Sequence, residues 1–442
     1  MAFGPAAPDR STGPELRRHQ ALGLQSLQRG VDRAGSDRTL QAVLDLLQDR
    51  APVSLLPQFG LRSQQRDENR LFEDAEVFRQ SVYSVDKNTG VSRAQVQSPA
   101  MLLTVVTSPR FADHLTPPGH PERVERFEVM QALASEFRAR GGRVVEPRAA
   151  SDDELARIHD REYISLIRET AGRAVALDAD TFTSPDTYEV ACLAAGAAVT
   201  AVDHVLDGDG QRALVMVRPP GHHAERNRAM GFCFFNNVAI AAAHARARAV
   251  SRVAIVDYDV HHGNGTQWAF YADQSVLFIS SHQFPYYPGT GAADEIGTQQ
   301  GRGFTANLPL SAGATDADYE QVYTTVALPI LRAFRPELIL ISAGFDAYMD
   351  DPLGGMRLSA SYFGRLTAQL AEVADGCCDG RVVAVTEGGY DLPGLRDSLR
   401  AVIGVLAGES ALEAFETPAG PSPRGDASIA AVRPHLSQYW QL

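Results

Sequence analysis

A chain of 442 residues, 44% of them hydrophobic, can bury a full core in one domain or two. Its formal net charge of -13 excludes a phosphate-coating nucleic-acid binder from the expected classes, so no direct nucleic-acid contact is foreseen, and it favours cationic ligands. Four cysteines are too few for a disulfide framework at this length, and Cys377 and Cys378 are adjacent, which points to a reducing, cytoplasmic setting.

In chain order, the first element is a helix. Leu40, Val43, Leu44 and Leu47 have helical spacing, Ser36 or Asp37 can cap its start and Pro52 stops it. Ahead of it, MAFGPAAPDRSTGPELRR carries charge where a signal peptide needs its apolar segment. Behind it, Arg62 to Gln97 is polar and holds no interpretable motif. Residues 1–99 are therefore read as a partly helical N-terminal extension of unknown role, with an oligomerisation arm, a cover for the core and a loosely ordered leader all open. A homo-oligomer stays open for the same reason. Residues 100–442 are read as one catalytic domain.

From Met101 the pattern changes to short β-branched runs alternating with Ala-rich helical stretches. LLTVV, RALVMV, RVAIVDYD, SVLFIS, ELILISAGFD and RVVAVTEGGYD are the clearest strands. Continuous apolar runs mark strands covered on both faces, so the expected fold class is α/β, a predominantly parallel sheet with helices on each side. The apolar run Val190 to Val202 is too short to cross a bilayer, and no membrane partner is expected. YPGTGAADEIGTQQGRGF lacks the GxGxxG order of a dinucleotide loop. Beyond Glu409, a Pro/Gly-rich loop precedes IAAVRPHLSQYW, read as a last helix.

Ligands of such sheets bind outside the carboxyl ends of the strands. GHHAE, DYDVHHGNG, GFDA and EGGYD all fall there. Asp259 and His261, two apart on extended chain, point to one side, and Asp346 from another strand end would complete three ligands for a zinc ion with an open position for water. His222 and His223 supply proton acceptors, with Asp257 and Asn264 as their orienting partners, so the two rings should not be equivalent. Tyr390, after two glycines, would donate to a developing oxyanion. Singly, each has a plainer reading: loop histidines, strand-end or helix caps, a core aromatic. Their coincidence at four strand ends is what points to metal-assisted hydrolysis of an acyl bond.

RPPGHHA with MGFCFFNN, VDYDVHHGNGTQ, YYPGTG, GFDAYMDDPLGG and EGGYDL resemble, in order and spacing, the zinc-dependent histone deacetylase family, which includes bacterial deacetylase-like amidohydrolases and acetylpolyamine amidohydrolases. The likeness starts with HLTPPGHPER and runs from about Met101 to near the C-terminus. It implies an arginase-like α/β fold with the active site at the strand ends, zinc on Asp259, His261 and Asp346, His223 beside Asn264 as general base and acid, His222 beside Asp257 in an electrostatic role, and Tyr390 at the oxyanion. Asn264 looks like the class II version of a position that is aspartate in class I. The resemblance also implies an acyl-lysine tunnel walled by Phe232 and Tyr287, the Gly231 carbonyl accepting the scissile N–H, and Arg126 lining a product channel. The second wall is more often Phe, so Tyr287 is a departure. Potassium is implied beside the zinc, on Asp257, Ser280 and the carbonyls of Asp259, His261 and Ser281, with a second ion near Phe270 and Val276.

For substrate, polyamine-selective relatives carry a glutamate where this chain has Leu353, and an apolar rim favours acyl-lysine in a peptide or protein. Asp350 and Asp351 nearby, with the negative net charge, speak for an acetylated polyamine as the alternative. An arginase-type ureohydrolase with two manganese ions and a binding module without catalysis are the remaining alternatives.

Overall fold

The computed structural model describes residues 102–442, and the helix expected around Leu40 to Leu47 lies outside the described residues. Eight strands form a single sheet: β1 (Leu103–Val106), β2 (Arg143–Val145), β3 (Arg212–Val215), β4 (Val253–Asp257), β5 (Val276–Gln283), β6 (Thr305–Leu310), β7 (Leu338–Ala343) and β8 (Val382–Thr386). Their order is β2-β1-β3-β8-β7-β4-β5-β6, and every neighbouring pair is parallel. The six strands expected from apolar runs are all present. The two without such a signal, β2 and β6, are the sheet edges. β2 is three residues long, and β6 reads TANLPL, with polar residues and Pro309 that a central strand would not tolerate.

Both faces are covered. Residues of β1, β3, β4, β5, β7 and β8 are buried throughout, as strands between two helical layers must be. Helix Thr187–Leu206 packs on β1, β3 and β8 and against helix Asn237–Ala247, while Leu392–Leu406 packs on β3 and against Val124–Ala139 and Ala360–Cys377. The apolar stretch judged too short to span a bilayer belongs to a longer helix: Thr187–Leu206 has 20 residues and a mean hydropathy of 1.5, enough by length and composition. Of its most apolar window 72% is buried, and it packs on the sheet, so it is a core helix of this fold. The expected C-terminal helix is Pro423–Leu436, anchored by buried Val432 and Leu436 and by Trp440, whose Nε1 donates to the Gly303 carbonyl at 2.8 Å.

The order of the sheet has one consequence for chemistry. β3, β8, β7 and β4 are consecutive neighbours at its centre. The four polar strand ends picked out in the sequence are therefore side by side, and the end of β5 lies next to them.

A buried histidine steadies the segment between β3 and helix Asn237–Ala247. His159 Nδ1 lies 2.9 Å from the Glu225 carbonyl, and its Nε2 accepts the Asn236 N–H at 2.9 Å. Asn236 in turn caps the helix through the Ala239 N–H. With one nitrogen donating and the other accepting, the ring is neutral, and burial lowers its pKa from 6.5 to about 4 despite the raising effect of its backbone partners. The unfolded chain then binds more protons than the folded one between these values, so stability falls as pH drops from 6.5 toward 4, by roughly 3 kcal/mol from this ring. Thermal melts across this range should show the decline, and His159→Gln, which cannot titrate, should make it shallower.

Candidate metal centre and active site

The segment after β4 turns on its own carboxylates. Asp257 Oδ1 accepts the Asp259 N–H at 3.1 Å and Asp259 Oδ1 accepts the His261 N–H at 2.9 Å. Asp259 Oδ2 is held by the Gly388 N–H and Asp346 Oδ1 by the Val260 N–H, both at 2.8 Å. His261 Nδ1 is 3.1 Å from both Asp259 Oδ1 and Asp346 Oδ2. Glycine permits this crowding. A Cβ on Gly344 would fall 2.1 Å from Asp259 Oδ2, and one on Gly388 the same distance from Asp346 Oδ2.

These residues fit a metal ion. Asp259, His261 and Asp346 are buried and offer ligand atoms within 4.8 Å of one another. Atoms bonded tetrahedrally to one ion at about 2.0–2.1 Å are roughly 3.3 Å apart, close to the spacing seen. A ring nitrogen carries at most one hydrogen and cannot serve two carboxylates well; a cation between them can. Without such an ion, burial and the Asp259 charge push the Asp346 carboxyl up to about 7.

The histidine pair is asymmetric. His222 Nδ1 is 3.0 Å from Asp257 Oδ2, and His223 Nδ1 is 2.7 Å from Asn264 Oδ1. Asn264 Nδ2 donates to Glu225 Oε1 at 2.8 Å, which turns its oxygen toward His223. His223 Nδ1 therefore carries the hydrogen and its Nε2 lone pair is free. Burial lowers the pKa of His222, but the charges of Asp259 and Asp257 outweigh it and hold the ring up to about 10. Burial and the neighbouring His222 and His261 charges keep His223 well below its usual range. Without an ion on Asp259, one ring is held cationic and the other is neutral and able to take a proton. Gly263 makes room for the first pair, since a Cβ there would sit 2.3 Å from Asp257 Oδ2.

His222, His223 and His261 line a pocket of about 200 Å³ together with Gly231, Phe232, Tyr287, Leu353 and Tyr390. Phe232 meets Tyr390 edge-on at 5.9 Å, and Tyr287 meets His223 edge-on at 5.2 Å. The Tyr390 hydroxyl has no hydrogen-bond partner among the described residues. Burial, with the Asp346 and Asp259 charges, raises its pKa well above 10 against the Arg126 charge, so it stays a donor. The Gly231 carbonyl is 3.2 Å from Cys233 Sγ, a weak donor.

Some expected residues lie elsewhere. Arg126 is fully buried behind Tyr390, with its guanidinium 4.9 Å from that ring, and donates to the Gly389 carbonyl at 2.7 Å, the Glu387 carbonyl at 2.5 Å and Glu122 Oε1 at 2.9 Å. It supports the tyrosine segment and is not among the residues that line the pocket. Asp351, read as a charge near the mouth, is buried, and of that pair only Asp350 is exposed. Asp257 and Ser280 are register partners on β4 and β5, and the Ser280 hydroxyl lies 2.9 Å from His282 Nδ1. Ser281 Oγ bonds the Tyr323 hydroxyl at 2.8 Å. Val276 opens β5, whereas Ser280 lies in mid-strand, and Phe270 ends the helix Asn264–Phe270.

Other site residues were not legible beforehand. Tyr286 stacks on His261 at 5.6 Å and 18°, although nothing in FPYYPGTG separates its role from that of Tyr287. Glu387 accepts the Gly221 and His222 N–H groups at 2.6 and 3.2 Å, fixing the histidine loop from below. A glutamate closing the apolar run RVVAVT was its signal. Glu122, in HPER, is fully buried between Arg218 Nε at 2.5 Å and Arg126. Burial opposes its charge, but Arg218, His114 and Arg126 hold its carboxyl well below the usual range. This ion group ties the loop before helix Val124–Ala139 to the chain leaving β3.

Residues 120–406 match the histone deacetylase domain. A probable deacetylase of Archaeoglobus fulgidus is 36% identical over 357 residues, covering 77% of this chain and 99% of that protein. A histone deacetylase-like amidohydrolase of Pseudomonas aeruginosa is 40% identical over 292 residues, 64% of this chain and 74% of that protein. The polyamine deacetylase HDAC10 of Homo sapiens is 41% identical over 72% of this chain, which spans 50% of that longer protein. Among solved structures, the HDA15 HD domain aligns with a TM-score of 0.72 at 36% identity, covering 77% of this chain and 96% of that one. With the domain match spanning most of the described residues, the chain belongs to the histone deacetylase family and is a hydrolytic enzyme, a deacetylase.

Proposed function

We propose that this deacetylase uses zinc and hydrolyses the Nε-acyl amide of lysine in peptides or proteins. The observation that carries the reading is the buried Asp259, His261 and Asp346 group at the base of a pocket that also holds a neutral His223 and a protonated Tyr390. Two carboxylates and one imidazole with an open side suit zinc, which when bound supplies a Lewis acid and lowers the pKa of water. The work of the chain is then proton handling and positioning. His223 Nε2 takes a proton from the attacking water and returns it to the leaving amine, with Nδ1 held by Asn264. His222, cationic beside Asp257, stabilises negative charge without moving its proton. Tyr390 donates to the acyl oxygen as charge develops on it. Potassium bound by Asp257, Ser280 and the carbonyls of Asp259, His261 and Ser281 would suit a carbonyl-rich site.

A narrow pocket with aromatic walls at Phe232 and Tyr287 supports a straight acyl-lysine arm, and Leu353 at the wall offers no counter-charge to a second ammonium. The similarity to a human polyamine deacetylase supports the second reading, an acetylated polyamine. Rates measured side by side on an acetyl-lysine peptide, a longer acyl-lysine peptide and an acetylated diamine decide between them. Faster turnover of a lysine peptide is expected; faster diamine turnover would reverse the choice.

A further inference from the structure

Asp351 lies two residues before Leu353 and is 6% exposed. Its Oδ2 accepts the Tyr390 N–H at 2.6 Å and the Asp391 N–H at 3.0 Å, and its Oδ1 accepts the Leu353 N–H at 2.9 Å. The tie continues outward, because the Leu353 carbonyl accepts the Tyr286 hydroxyl at 3.3 Å and the Tyr286 ring stacks on His261. One carboxylate thus joins the backbone of the tyrosine at the acyl oxygen to the backbone of the residue at the pocket mouth. Three donors and no cation hold it among the described residues. Burying a carboxylate is costly unless hydrogen bonds to its oxygens offset the lost hydration, and both oxygens are used as acceptors. All three partners are N–H groups, and an amide would have to turn its NH₂ toward one of them.

We propose that Asp351 is a positioning residue that sets the mouth segment at Leu353 and the oxyanion donor Tyr390 in a single register, so that substrate selectivity and catalysis depend on one carboxylate. The proposal rests on the roles given above to Tyr390 and Leu353. Loosening Asp351 moves two things a purely structural residue would leave uncoupled: the rate of the chemical step, and the ability of position 353 to discriminate between substrates.

The test is a double-mutant cycle on the full chain, with wild type, Asp351→Asn, Leu353→Glu and the double variant assayed on an acetyl-lysine peptide and an acetylated diamine. Asp351→Asn is expected to keep its metal content and lower kcat about tenfold or more on both substrates. Leu353→Glu is expected to shift the kcat/KM ratio toward the diamine, and this shift should shrink by about threefold or more in the Asp351→Asn background. If Asn does not fold, Asp351→Glu, which keeps the charge but displaces it by one methylene, should give the same pattern. A folded, metal-loaded Asp351 variant with wild-type kcat overturns the proposal. So does a Leu353→Glu shift that is absent in wild type or equal in both backgrounds. A wild type inactive on both substrates would instead overturn the proposed function.

Discussion

Tyr390→Phe should lower kcat by roughly a hundred- to a thousandfold while leaving metal content and fold unchanged. The substitution removes only an oxygen. The ring that packs edge-on against Phe232 and lies 4.9 Å from the Arg126 guanidinium remains. The hydroxyl has no protein partner among the described residues to lose, and burial keeps it protonated, so its removal should cost little before the reaction begins. The loss should appear in kcat, where the acyl oxygen gains charge, with KM nearly unchanged. Steady-state rates on an acetyl-lysine peptide check this, and an unchanged kcat would remove Tyr390 from the chemistry.

His223→Ala should cost about a hundred- to ten-thousandfold in kcat, because, of the other two histidines lining the pocket, His261 is given to the metal and His222 is paired with Asp257. His222 cannot take over. Its Nδ1 is paired with Asp257, and without an ion on Asp259 the two carboxylates raise its pKa to about 10, so it is the poorer proton acceptor of the two. His222→Ala should be milder and should act through lost positive charge. Rates of both variants at fixed metal loading compare the two directly. Equal losses would mean that the division of labour read from Asp257 and Asn264 is wrong.

Much of this was readable without coordinates, for physical reasons. Six strands announced themselves because doubly covered strands must be apolar along their whole length, whereas β2 and β6 at the edges are free to be short or polar. The metal group was readable because Asp259, His261 and Asp346 all follow closely on apolar strands, although Asp259 and His261 sit in the turn after β4 rather than on extended chain and Asp346 lies in the loop beyond β7. Sequence alone could not show that β3, β8, β7 and β4 are adjacent, since that depends on sheet order. It also hid residues that act through the backbone. Glu387, Asp351 and Glu122 are charged, and a sequence gives charged residues to the surface by default. Here each is buried, the first two holding N–H groups of the loops that carry His222 and Tyr390 and the third pairing with Arg126 behind that tyrosine.

The most direct test of the account is metal stoichiometry, measured by elemental mass spectrometry on the dialysed full chain and on Asp346→Asn. The account predicts close to one zinc per wild-type chain, hydrolysis that a chelator abolishes and zinc restores, and an Asp346→Asn protein that folds but retains little metal. A wild type that hydrolyses its substrate at full rate with no bound metal, or that carries two manganese ions instead, would contradict it.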